Sequence, residues 1–152
     1  MASRRPACQA AAVVCLLAAA GCASQLTTAA AAYLAIAVPA NHQLDREVNA
    51  YDHNAHVDLA AAEAALRAEA ATEREFDKRL LVIGFRPRTA ATARALVRAN
   101  QHRIDLTEQQ ARSSTIAGLL SLTRSHRAAD AAVEVQVRVI RRELGLPPPE
   151  TS

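Results

Sequence analysis

The densest run of side chains able to do chemistry is Tyr51-Asp52-His53-Asn54-Ala55-His56-Val57-Asp58. Two imidazoles three residues apart, flanked by the carboxylates of Asp52 and Asp58 and with His42 upstream, are residue types that ligate Zn²⁺. A tight site needs three or four ligands converging on one point, whereas Asp, Asn and His are equally the residues of a solvated turn that caps the following helix. The run therefore reads as a polar turn. His53, His56, Asp52 and Asp58 are weak candidate ligands, and no metal or other cofactor is expected. Other catalytic patterns are missing. No HExxH string occurs, and three residues after Glu63, Glu69, Glu108 and Glu134 stand Leu66, Thr72, Ala111 and Val137, so the Glu-x-x-His pattern of di-iron bundles is absent. Ser125 precedes His126 and His102 lies upstream, but no GxSxG elbow or third triad member accompanies them. Four glycines cannot build a phosphate-cradling loop, and four aromatic residues (Tyr33, Tyr51, Phe76 and Phe85) make no base-stacking platform. Neither an enzyme nor a nucleic-acid partner is expected.

The N-terminal segment carries a different chemistry. Arg4 and Arg5 form a positive patch, Ala7 to Ala20 is apolar except for Gln9, and the segment ends in small residues, as export signals do. The stretch Leu17-Ala18-Ala19-Ala20-Gly21-Cys22 resembles a bacterial lipobox, with Ala19 where lipoboxes prefer leucine. That resemblance implies a thioether from Cys22 to diacylglycerol and cleavage between Gly21 and Cys22. Read from the residues alone, an ordinary secretory signal cut after Ala20 or Ala23 and an uncleaved anchor remain open. An apolar run of about fourteen residues is short for a hydrocarbon core that needs about twenty. All three cysteines (Cys8, Cys15 and Cys22) fall in the first twenty-two residues, so a chain processed at Cys22 has no internal disulfide and depends on packing.

The rest of the chain reads as helix. Alanine accounts for 37 of 152 residues, which favours helix and lets helix backbones approach closely. Leu26, Ala30, Tyr33, Ala37, Ala40, Leu44, Val48 and Tyr51 step by three or four and define helix one. Leu59, Ala62, Leu66, Ala70, Phe76, Leu80 and Ile83 define helix two. Ala93, Val97, Asn100, Ile104, Thr107 and Ala111 define helix three, and Ala129, Val133, Val137, Ile140 and Leu144 helix four. Gly84 and Pro87 mark the second junction, Gly145 with Pro147-Pro148-Pro149 ends the last helix, and Asn54 or Asp58 can cap helix two. Ser113, Ser114 and Thr115 offer caps at the third junction, unless helices three and four run on through Gly118. Pro39 should kink helix one, because it removes the donor to the Ala35 carbonyl. Similar lengths and short loops predict an all-α, antiparallel up-down bundle of four helices after an N-terminal signal helix. The expected organisation is a lipoprotein signal peptide over 1–21, a short linker over 22–28, the bundle over 29–145 and a Pro-rich tail over 146–152.

Charge is divided along the chain. From Asp45 to Asp77 there are nine acidic and three basic residues, and from Lys78 to Arg142 thirteen basic and four acidic. Arg94/Arg98 and Arg138/Arg142 repel at i,i+4 and are best placed opposite Glu63, Glu69 or Glu73 on a neighbouring helix. Arg124, Arg127, Arg138, Arg141 and Arg142 make a face suited to anionic lipid headgroups or wall polymers, although Arg141 and Arg142 also complement a helix C-terminus. Without Arg4 and Arg5, sixteen basic residues remain against fifteen acidic ones, so most of the formal +3 charge resides in the leader. The lipobox-like stretch, the Ala/Arg-rich composition with Lys78 as sole lysine, Ala29 to Ile36 and the Arg141-Arg142-Glu143-Leu144-Gly145-Leu146-Pro147-Pro148-Pro149 ending together resemble small lipoproteins of high-GC Gram-positive actinobacteria. The resemblance implies lipid anchoring through Cys22 at the extracytoplasmic face of the cell membrane. Membrane lipid and an envelope protein are then the expected partners; a ligand held in the bundle interior or at the His53/His56 turn is the alternative.

Overall fold

A computed structural model describes the backbone of residues 10–149 and the side chains of residues 26–149. The signal segment 1–21, the Gly21–Cys22 junction and lipidation at Cys22 lie outside the residues whose side chains are described. Among the described residues the chain is all-helical: α1 Ala10–Asn54, α2 Leu59–Leu81, α3 Pro87–Gln110, α4 Ile116–Ser121 and α5 Thr123–Glu143. Four long helices were expected, and five are found. The extra element is α4, a single short helix that bridges α3 and α5 because Thr115 turns the chain and caps a new N-terminus, its Oγ1 accepting from the Gly118 amide at 3.0 Å. Helices three and four therefore do not run on through Gly118.

The other boundaries follow from local chemistry. Asp58, with extended backbone, caps α2 by accepting from the Ala61 amide at 3.0 Å. Pro87 opens α3, where its missing N–H is one of the donors that no helix satisfies. Gly145 closes α5 at φ +69°, a conformation open to glycine. The Leu146 amide donates to the Arg141 carbonyl at 2.8 Å and the Gly145 amide to Arg142 at 3.1 Å, the two bonds of a Schellman end. Leu146 packs against the core and Pro147 accepts from Arg141 Nε at 2.7 Å, so the start of the proline tail is folded back onto the bundle. Pro39 lies within α1 on its exposed side, as does Ala35, whose carbonyl loses its intrahelical donor to the proline and is left to solvent.

Helices α1, α2, α3 and α5 form an up-down row in which each is antiparallel to the next. Tyr33 meets Phe76 edge-on, with ring centroids 6.5 Å apart at 78°. Arg103 of α3 reaches back to α2 and forward to α5. One core cluster gathers Tyr33, Ile36, Leu80, Leu96, Ile140 and Leu144, and a second gathers Ala55, Ala62, Leu66, Ala111 and Leu119. The bundle thus has two unlike ends. One holds the Leu26 region of α1, the α2–α3 connection and the end of α5, with Leu26 reaching toward Gly145. The other holds the His53–Asp58 turn and α4.

The predicted stripes are largely the buried ones, with one exchange. On α1, Val48 is 40% exposed and its neighbour Glu47 only 6%. At about 100° per residue these two flank the line of Tyr33 on opposite sides, so hydropathy alone gives Val48 the inside place. Specific partners reverse this, because Glu47 Oε1 accepts from Gln43 Nε2 at 2.6 Å and from Thr72 Oγ1 of α2 at 2.9 Å.

Asp58 also allows a test of the turn. Asp58→Ala is expected to cost about 1 kcal/mol, the usual worth of an N-cap, and His53→Ala or His56→Ala less than about 0.5 kcal/mol, as exposed substitutions do. Urea unfolding measures both. A histidine loss as large as the cap loss would show that the turn does more than cap.

Candidate functional site

The sequence-predicted ligands do not converge. Asp52, His53, His56 and Asp58 are all exposed, as is His42 further along α1, and the Asp58 carboxylate is engaged in capping. Among the described residues, no group of three or more His, Cys, Asp or Glu side chains is arranged to hold a metal ion.

The chemistry-bearing groups that do converge lie inside the bundle. Glu69, Glu73 and Asp77 follow one another at i,i+4 on α2 and so form a ridge along one face. All three are buried, Glu73 to 3% exposure. The ridge faces α3, where Asn100, Arg103, Thr107 and Gln110 stand at successive steps of three or four. Arg103 is the centre. Its Nη2 contacts Glu69 Oε1 at 3.1 Å and pairs with Glu73, and its Nη1 contacts Asp130 Oδ1 of α5 at 3.2 Å. One guanidinium therefore ties three helices, a task suited to its planar array of donors. Beside it, Asn100 Nδ2 donates to Asp77 Oδ1 at 2.7 Å. Toward the turn end, Gln110 Nε2 donates to the Leu119 carbonyl at 2.7 Å and to the Tyr51 hydroxyl at 2.9 Å, linking α3 to α4 and α1.

Burial controls the proton affinities of this layer. The Glu73 carboxyl is pushed up to about 8 by loss of water, against the opposing pull of Arg103. Asp77 rises to about 6 for the same reason, held back by the Asn100 hydrogen bond. Glu69 is also raised by burial, with Arg103 countering and Asp130 and Glu47 adding to the rise. Arg103 loses hydration too, but the surrounding carboxylates outweigh that loss and hold its charge more firmly. His126, at the start of α5, is shifted down by burial, and its Nε2 is buried without a protein partner. Glu73 Oε2 and Arg103 Nε are likewise unpartnered. At neutral pH the layer therefore holds a largely protonated Glu73 beside the charged Arg103. The arrangement can fix helix register and store protons. It offers no exposed nucleophile to a substrate, since the groups face one another between helices.

The expectation that Arg94/Arg98 or Arg138/Arg142 sit opposite Glu63, Glu69 or Glu73 is corrected. Glu69 and Glu73 take Arg103, Glu63 takes Arg67 within α2, and Arg138 lies 4.0 Å from Glu134 within α5. The acidic and basic halves do meet through Arg103 with Glu69 and Glu73, and Arg74–Glu108 joins them with the charges reversed. Arg103 could have been found in the sequence: it lies next to Ile104 on the helix-three stripe, one position before a predicted core residue. Outside the core, a shallow groove of about 390 Å³ runs between α1 and α2, lined by Ile36, Pro39, Thr72, Glu75, Phe76 and Arg79 among others.

Comparison of the chain with protein-family models, curated proteins and solved structures gives no match.

Proposed function

We propose that this chain is an exported, lipid-anchored helical module that holds its bundle against the outer face of the cytoplasmic membrane and acts there by contact with another envelope protein. The observation that carries the reading is Leu17-Ala18-Ala19-Ala20-Gly21-Cys22, set behind Arg4-Arg5 and an apolar run. The confinement of Cys8, Cys15 and Cys22 to that segment supports it. Diacylation of Cys22 supplies two acyl chains at about 0.8 kcal/mol per buried CH₂, enough for stable anchoring where one chain gives only reversible binding. Ala29, the first buried side chain among those described, lies seven residues beyond Cys22 and so within roughly 25 Å even on a fully extended tether. That bound keeps the bundle at the bilayer surface. Among the described residues, no helix is long and apolar enough to cross a membrane. The buried layer around Arg103 fits a rigid contact module, because it spends its charged groups on holding helices together.

Cys22→Ser tests the reading directly. Incorporation of labelled fatty acid is expected to fall to background, with the protein moving from the membrane fraction to the soluble one or persisting as an uncleaved precursor. Undiminished lipid labelling of the serine variant would overturn the reading.

A further inference from the structure

We infer that the end of the bundle built around the α2–α3 connection is a docking face for an anionic lipid bilayer. The apolar part is Leu81 and Val82, which are 52% and 82% exposed at the tip of α2. Their neighbours Ile83 and Phe85 pack against the core, so the tip is rooted and its position fixed. Around it stand Lys78 and Arg79 from the last turn of α2, Arg86 and Arg88 from the connection and start of α3, and Arg141 and Arg142 from the last turn of α5. The acidic groups at this end are fewer. Glu143 is hydrogen-bonded by Arg88 at 3.0 Å, Asp77 is buried toward Asn100, and Glu75 lies one turn back on α2. Apolar side chains at the tip of a cationic ring match a surface with negative headgroups over hydrocarbon.

The opposite end supplies the contrast. There Val57 is 76% exposed with Asp52 and Asp58 as its neighbours, and the cations of that end, Arg112, Arg124 and Arg127, belong to the end of α3 and the start of α5. Position in the chain points the same way. α1 enters the bundle at the cationic end, where Leu26 and Ala29 line a hollow with Phe85, Pro87 and Leu144. For the orientation of the tethered molecule the inference rests on the lipid-anchor reading, since a chain leaving Cys22 enters the bundle at this end. The chemistry of the face is independent of that reading and can be tested without the anchor.

The full chain carrying Cys8→Ser, Cys15→Ser and Cys22→Ser accepts no thioether lipid, and Val82→Cys then places one environment-sensitive fluorophore at the tip. A second protein carries the probe at Val57→Cys. Both are mixed with phosphatidylcholine vesicles, with or without about a third phosphatidylglycerol. Insertion of the apolar leader brings position 82 toward either kind of vesicle, so the deciding comparisons are between lipids and between the chain with and without Arg79 and Arg142. The expected result is a blue shift at position 82 on the anionic vesicles alone, with position 57 unchanged. Arg79→Gln with Arg142→Gln should weaken the anionic response at least about ten-fold, at about five-fold per cation removed. Circular dichroism checks that the variants keep their helix content. No shift at position 82, an equal shift at position 57, or a response untouched by removing the two cations would overturn the inference. So would a shift without vesicles that grows with protein concentration, which would assign the face to a second copy of the chain. Loss of lipid labelling in Cys22→Ser leaves each of these outcomes readable, so the two readings fail separately.

Discussion

Replacing Arg103 by alanine is expected to destabilise the bundle by about 3–5 kcal/mol, the cost of leaving buried carboxylates without their cation. The expected drop in Tm is about 10 °C or more for a domain of this size. Arg103 is the one guanidinium shared by Glu69, Glu73 and Asp130, and Glu69 and Glu73 have no water into which to turn. Arg67→Ala is the matched control. Arg67 pairs with Glu63 at 2.8 Å, but its side chain is 60% exposed, and exposed pairs contribute at most about 1 kcal/mol. A further variant separates lost charge pairing from lost packing. Arg103→Met with Glu69→Leu and Glu73→Leu removes the buried charges together and keeps apolar volume, so it should recover most of the stability, as replacement of a whole buried ion cluster does. Thermal and urea unfolding measure all three. Equal losses for Arg103→Ala and Arg67→Ala would refute the central role of Arg103.

The second large effect is a loss of stability as pH rises above neutrality. A carboxyl whose pKa is higher in the folded chain than in the unfolded one binds protons preferentially to the folded state. Its contribution is complete below the unfolded value and is lost as pH rises through the folded one. For Glu73 that window runs from 4.5 to about 8, and for Asp77 from 3.8 to about 6. Glu69 acts in the same sense. His126 acts in the opposite sense. Its pKa is lowered in the fold, so its contribution is present above 6.5 and lost as pH falls. Above 6.5 the imidazole is neutral in both states, and the carboxyls alone set the slope. Three carboxyls losing stability outweigh the one imidazole gaining it, so Tm is expected to fall as pH rises from 4.5 to about 8, by roughly 10 °C in all, a drop equivalent to a few kcal/mol. Glu73→Gln keeps the shape of the side chain and cannot ionise. It should flatten the fall between pH 7 and 9 and leave that variant more stable than the natural chain at the alkaline end. An identical pH profile for the two proteins would show that Glu73 does not carry the effect.

How much of this was legible beforehand depended on the kind of residue. Apolar positions such as Tyr33, Leu66, Leu80, Ile104 and Ile140 declared themselves by spacing, because burial of hydrocarbon needs only a continuous stripe and tolerates small rotations of a helix. Asn100 and Thr107 fell on the predicted stripe and are buried, each donating a side-chain hydrogen bond. The acidic ridge was not legible as core. Glu69 and Glu73 read as partners for arginines of a neighbouring helix, but neither their burial with Asp77 nor the identity of the arginine could be read, since a charge is expelled from the interior unless a partner follows it, and the partners stand 23 to 34 residues away on α3. The His53–Asp58 run was conspicuous for the opposite reason. Dense polarity marks a turn as readily as a site, and only the exposure of its side chains and the bond from Asp58 to Ala61 separate the two.

The sequence by itself determined the helical class, the approximate helix limits and the division of charge between the two halves of the chain. Those follow from local rules: side-chain periodicity, proline at a helix start, glycine beyond a helix end, and a carboxylate over free amides. Tertiary structure alone decided which cation the buried acids receive, and that Leu81 and Val82 emerge at the same end of the bundle as the basic residues of α3 and α5 and the Leu26 end of α1. Each of these is a relation between segments far apart in sequence, set by how antiparallel helices come into register once their apolar faces are joined, and no local preference encodes it.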